Sequence, residues 1–230
     1  MTVDGYAGAT AVMLYGPKPP SLRQWLLGLQ AEIGRQFPQF VPRTLEQIHA
    51  TVIGLEFPLR PVSAEDVRGL VRSVAEALEA PVDMRLGGYH PGASSFTSRG
   101  EDPYERCFAL SDGLAILIGW PVPPSDLLGK IRKRAEQFGF RHRYHDDGPS
   151  LDSDWYMVLG DFPNGQDRPT AVESRVRDYL AGHPLDVRVT VSDLALVRYR
   201  SATLDPATSE KIANLSPEVA AQIAAVSQPA

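Results

Sequence analysis

The chain writes out the same order of elements twice, strand, helix, strand, helix and then paired strands, and that repetition limits its fold more than any single motif. Residues 9–15 form a short apolar run closed by Gly16, Pro17, Pro19 and Pro20, which predicts a buried strand. Ser21 with Gln24 three residues on reads as a capping box. It opens a helix whose apolar positions Leu22, Trp25, Leu26, Leu29 and Ile33 recur at helical spacing. The β-prone segment 48–55 follows, and Ser63 then opens a second helix carrying Val67, Leu70, Val71, Val74 and Leu78 on one stripe. Residues 82–86 read as a strand, and the apolar runs 106–110 and 114–120 around Asp112-Gly113 read as a hairpin.

The second half repeats the scheme. Pro123-Pro124-Ser125 opens a helix with Leu127, Leu128, Ile131, Ala135 and Phe138 on its buried side, ended by Gly139. A strand is predicted over 155–159, a capped helix from Thr170 with Glu173, and two closing strands over 185–191 and 194–199. These elements predict an α+β protein with two pseudo-symmetric lobes of antiparallel sheet and outer helices around a central cleft. The lobes take roughly residues 1–120 and 121–205 of one bilobal domain, with strands free to cross over. Residues 206–230 are expected to be a tail, partly helical from Ser216-Pro217-Glu218 or flexible.

Composition narrows the setting. A chain of 230 residues buries a core without disulfides, and its one cysteine, Cys107, forms no internal bridge, so a reducing, cytoplasmic location is expected. The net charge of −5 argues against extensive DNA binding by charge alone. With no uncharged stretch of 18 residues, no membrane partner is expected. The basic stretch 130–134 reads as the solvated face of its helix, and His142 and His145 read as exposed loop residues. Asp146, Asp147, Asp152 and Asp154 match no metal-ligand spacing, so no metal is expected.

The chemistry concentrates at His49-Ala50-Thr51-Val52. Strand alternation puts His49 and Thr51 on one face and Ala50 and Val52 on the other. An imidazole that exchanges protons near neutral pH then stands beside a hydroxyl that donates to a phosphate oxygen. Aligning the two halves on Gly54 and Gly160 sets Trp155 opposite the histidine and Met157 opposite the threonine. A slip of one residue offers Tyr156 and Val158 instead, and the sequence leaves both registers open. Trp155 would supply a stacking face for a nucleobase or pack in the core, and Tyr156 would donate a proton or pack.

On the His49-x-Thr51 motif and the order of elements from 9 to 204, the chain resembles the two-histidine phosphoesterase superfamily, which includes the RNA-ligase-like 2′,3′-cyclic phosphodiesterases. Residues 194–199 are similar to the closing strand of that family. The resemblance implies a metal-independent hydrolase without a cofactor, acting on a cyclic phosphate, a cyclic nucleotide or an RNA end. His49 would be its acid or base and Thr51 its phosphate holder, with Trp155, Tyr156, Met157 and Tyr199 lining the substrate site. The second histidine motif is absent, so a binding module of the same fold, without turnover, is the alternative. The expected partner is a nucleotide or RNA terminus with a phosphodiester.

Overall fold

Apolar side chains that recur every three to four residues turn a helix toward the sheet, and the longer α-helices among the described residues do so. In α1 (Pro20–Gln36), Leu22, Leu26, Leu29 and Ile33 are buried, and in α2 (Ala64–Ala77), Leu70, Val71 and Val74. The others are α3 (Pro103–Arg106), α4 (Leu127–Ala135) and α5 (Thr170–Gly182). These come from a computed structural model that describes residues 8–56, 58–143, 153–162 and 170–214.

The strands are β1 (Gly8–Met13), β2 (Val41–Pro42), β3 (Ala50–Gly54), β4 (Val82–Leu86), β5 (Phe108–Ser111), β6 (Leu114–Val122), β7 (Trp155–Asp161), β8 (Leu185–Val189), β9 (Leu194–Tyr199) and β10 (Ser209–Asn214). They join in the order β10-β9-β1-β3-β7-β6-β4-β8, with β2 added to β7 and β5 to β6, and all the pairings are antiparallel. The fold is the expected α+β architecture with its helices outside. Strands cross between the halves: β8 closes the second lobe and β9, next in sequence, closes the first.

The two lobes meet where β3 lies beside β7, with Ala50 opposite Met157. On its other edge, against β1, β3 carries an irregularity. Ala11 faces Ile53 while the next residue, Val12, faces Thr51, so Val52 is an inserted residue. The carbonyls of Thr51 and Val52 are both taken by the buried Arg132 of α4, through Nη2 and Nε at 3.2 Å each. A guanidinium thus does at the seam what a ladder partner does elsewhere in a sheet. Farther along, Gln30 of α1 donates to the carbonyls of Arg43 and Leu159 at 2.8 and 2.9 Å, and Arg43 pairs with Asp161 across the β2–β7 junction.

Several local expectations change. The first helix begins one residue before Ser21, on Pro20 after Pro19, and no side chain caps it; a proline supplies the first turn because its missing N–H is not needed there. Ser63 does cap α2, in a reciprocal box with Asp66. Asp126, with no side-chain cap bond, precedes α4, and Gly139 ends the following 3-10 turn in the left-handed region. Glu173 is buried and accepts from the Leu110 backbone N–H at 2.7 Å, tying α5 to β5. Asp112 and Gly113 both have positive φ, as the two-residue hairpin between β5 and β6 requires. Arg132 is buried within the basic stretch read as solvated, whereas Lys130, Lys133 and Arg134 are exposed. Residues 209–214, assigned to the tail, form β10 along β9. The helix start at Ser216-Pro217-Glu218 lies outside the described residues.

Replacing Arg132 with methionine keeps the volume and removes the donors, leaving two buried carbonyls without them. The expected loss is about 2–4 kcal/mol in urea unfolding. A variant within about 0.5 kcal/mol of wild type, by the usual scale of neutral surface changes, would show that the seam does not depend on this side chain.

Candidate functional site

His49 stands one residue ahead of β3, half-buried, at the point where the chain leaves the 43–49 loop and enters the sheet. Its Nδ1 lies 2.6 Å from the Gln47 carbonyl. A carbonyl only accepts, so Nδ1 carries the proton and Nε2 keeps a lone pair. Burial drives the imidazole pKa down to about 4; the Gln47 carbonyl opposes this, and the nearby Lys18 and Arg43 cations add to it. The ring is therefore neutral at pH 7, a proton acceptor. Tyr15 meets it edge-on, with ring centroids 6.1 Å apart.

The two cations are held in place. The Arg43 guanidinium reaches Asp161 at 3.0 and 3.1 Å. Lys18 donates to the Gly16 carbonyl at 2.6 Å, and desolvation lowers its pKa to about 8, with Glu46 pulling the other way. His49 is thus a neutral base with positive charge on both sides of its sequence neighbourhood, and Thr51, partly exposed, lies two residues along the same face.

The pairing of Ala50 with Met157 decides the register that the sequence left open. Opposed residues in an antiparallel pair share a face, so Ala50 and Met157 point toward the helices, and alternation turns Thr51 and Tyr156 to the other side. Trp155, 0% exposed, and Met157, 1% exposed, belong to the core beneath the helices. Neither lines the cleft, which corrects their expected place in the substrate site. Tyr156 does face it, 38% exposed. About a local two-fold through the Ala50–Met157 pair, Tyr156 occupies the position of His49, and Val158 that of Thr51.

Tyr199 is on the cleft side of β9 but not open to it. With Val12, Ala195 and Val197 it forms a small second cluster closed by Leu204 and flanked by Tyr15. Burial pushes its phenol up to about 12, with Glu56 adding to the shift. Tyr199 therefore packs, and a substrate contact there would require Leu204 to move.

Other candidates fall away from the site. His142 is buried, contrary to its reading as an exposed loop residue, and its Nδ1 accepts from the Gly54 N–H at 3.3 Å at the far end of β3. His183 stacks on Tyr179, and Cys107 is buried with its thiol raised to about 12 by desolvation, which leaves it inert. His145, Asp146, Asp147 and Asp152 lie outside the described residues. Among the described residues, no three His, Cys, Asp or Glu side chains converge on a metal-sized site. No helix among them is long and apolar enough to cross a membrane.

A buried polar network in the second lobe has no counterpart in the sequence reading. Asp154, next to Trp155, accepts from the Ser98 hydroxyl, from Trp120 Nε1 at 2.8 Å and from Arg106 Nη2 at 2.6 Å, while Arg99 Nε lies 3.6 Å away. Tyr89 and Phe96 pack edge-on against Trp120. The segment 88–106 is thereby fastened over the β6 end of the cleft face. The signal available in the sequence is only an aspartate at a strand entrance.

The chain matches no family model and no curated protein. Among solved structures it is similar to a conserved protein of unknown function, ATU0111 from Agrobacterium tumefaciens str. C58, at 14% identity and a TM-score of 0.52 over 91% of this chain and 85% of that one. It is also similar to TT0787 of Thermus thermophilus, at 18% identity and a TM-score of 0.48 over 88% and 92% of the two chains. The likeness to ATU0111 shows a shared fold.

Two outcomes follow. Because folding depresses the His49 pKa from about 6.5 in the unfolded chain to about 4, the unfolded state binds the extra proton between these values. Its contribution to stability is full above about pH 6.5 and is lost as pH falls toward about 4. His49→Gln is expected to flatten that part of a stability-versus-pH curve, and an unchanged slope would contradict the assignment. On β7, Trp155→Ala is expected to cost about 3–5 kcal/mol in thermal or urea unfolding, and Tyr156→Ala less than about 1 kcal/mol. Equal costs would mean the two residues do not face opposite sides.

Proposed function

We propose that the protein is a two-histidine phosphoesterase-like protein whose cleft takes a cyclic phosphate, a cyclic nucleotide or an RNA end. The observation that carries the reading is the neutral His49, its Nε2 lone pair left by the Nδ1–Gln47 bond, beside Thr51 and the Lys18 and Arg43 cations. In hydrolysis of a 2′,3′-cyclic phosphate, a water oxygen attacks phosphorus and gives its proton to His49 Nε2. The ring P–O bond breaks, and the ribose oxygen takes a proton from water or from the Tyr156 hydroxyl. The Thr51 hydroxyl donates to a non-bridging oxygen, and the two cations offset phosphate charge.

The same geometry favours a second reading. Tyr156 and Val158 stand where the second histidine and threonine would be, so the departing oxygen meets no imidazolium. A missing general acid costs about 10²–10⁴-fold in rate, and at that level the protein serves as a binding module for nucleotide ends.

Assays with the four 2′,3′-cyclic mononucleotides, comparing wild type with His49→Ala and Thr51→Val, separate the readings. Turnover abolished by His49→Ala and reduced about tenfold or more by Thr51→Val supports the hydrolase. Binding by calorimetry without turnover, weakened by the same substitutions, supports the module. Neither turnover nor binding of any phosphate ligand would refute both.

A further inference from the structure

One wall of the His49 site is a turn that the backbone holds in place. After β1 the chain reverses through Leu14, at φ 62°, and Gly16, at φ 87°, both in the left-handed region. The Leu14 N–H donates to the Asp193 carbonyl at 2.9 Å and the Gly16 N–H to the Glu46 carbonyl at 3.0 Å, which ties residues 14–18 down onto the loop that carries His49. Tyr15 thereby meets the imidazole edge-on, and the Lys18 ammonium folds back on the Gly16 carbonyl at 2.6 Å, near enough for its charge to act on the His49 ring.

Lys18 also opens onto a second space. A groove of about 580 Å³ begins at Lys18 and runs over the first two turns of α1, past Arg23 and Gln24 to Leu27 and Gly28. A volume of this order is usual for a nucleotide-sized ligand and exceeds what one phosphate fills. Helical spacing makes the groove one continuous surface: Arg23 stands a turn from Leu27 and Gln24 a turn from Gly28, while Leu22 and Leu26 turn into the core. Among the described residues, the Arg23 guanidinium has neither a hydrogen-bond nor an ion-pair partner, and the first turn of α1 holds no acidic side chain. Glu46 offsets Lys18 at the mouth, and Arg43 is held by Asp161. Arg23 is therefore the charge that remains to meet an anion inside the groove.

Resting on the phosphoesterase-like reading above, we propose that the preferred ligand is a nucleotide phosphorylated at two positions, whose second phosphate enters the α1 groove and is held by Arg23. The first phosphate stays at His49 and Thr51, and Lys18, where the two spaces meet, offsets charge from both. Leu27, 46% exposed, and the Gln24 amide give the nucleoside an apolar surface and a polar edge. A guanidinium bound to a phosphate makes short, directional, charge-assisted bonds, so the groove selects by the number of phosphates.

The test compares adenosine 3′-monophosphate with adenosine 3′,5′-bisphosphate by calorimetry at fixed salt, using wild type, Arg23→Gln and Leu27→Glu. Both positions are exposed, and melting curves of each variant confirm folding. The carboxylate introduced at 27 lies one helical turn from Arg23 and pairs with it, blocking the groove without removing the arginine. Arg68→Gln on α2, whose arginine pairs with Glu65, controls for loss of one surface charge. Wild type is expected to bind the bisphosphate about tenfold more tightly than the monophosphate. Arg23→Gln and Leu27→Glu should each reduce that advantage to about twofold or less, and Arg68→Gln should preserve it. Equal affinities in wild type, an advantage that survives in either folded groove variant, or a loss of the same size on both ligands overturns the proposal, while monophosphate binding abolished by His49→Ala still supports the function. Absence of binding by either ligand removes the functional reading together with this one.

Discussion

Where β3 lies beside β7, a single pair of described residues, Ala50 with Met157, joins the two strands, and just beyond it the Arg132 guanidinium binds the β3 backbone. The inserted Val52 leaves the Thr51 and Val52 carbonyls to be satisfied away from the ladder, and Arg132 from α4 takes both. A buried carbonyl without a donor costs about as much as a lost hydrogen bond. The bulge and the arginine therefore belong together. Because the bulge begins at Thr51, the same contact holds the one strand that carries the candidate chemistry.

The site inherits its properties from that junction. His49 lies at the mouth of β3, where the 43–49 loop rises from the sheet and the Gln47 carbonyl can reach Nδ1. Burial and two cations keep the ring neutral near pH 7, so it has no proton on Nε2 to deliver. On the other strand, the matching place holds a phenol. A pseudo-symmetric frame thus carries an asymmetric pair of groups, and the asymmetry extends to the walls: Leu204 closes one side, while the 88–106 segment is pinned by Asp154 on the other.

Much of the frame was legible in the sequence because periodicity reports which side of an element is buried. The stripe Leu22, Leu26, Leu29, Ile33 of α1 follows directly from it, while 194–199 reads as a strand from its continuous apolar run, buried on both sides. Short or composite features were not legible. Val41–Pro42 is too brief to carry a pattern, and β10, with Ser209, Glu210 and Lys211, has polar edge-strand composition that reads as tail. The capping reading failed at Ser21 because proline can start a helix unaided, and the bond from the Leu110 N–H to the Glu173 carboxylate could not be read from local spacing. In the candidate site, His49 and Thr51 declared themselves by alternation, whereas Arg43 and Asp154 meet their partners, Asp161 and Arg106, only through chain reversals.

The sequence by itself determined the α+β order of elements and the shared face of His49 and Thr51, since both rest on local spacing that the backbone geometry enforces. Only the tertiary structure decided what stands opposite them. A strand's alternation says which residues share a side but not which side faces the core. It took the pairing of Ala50 with Met157 to bury Trp155 and turn Tyr156 into the cleft.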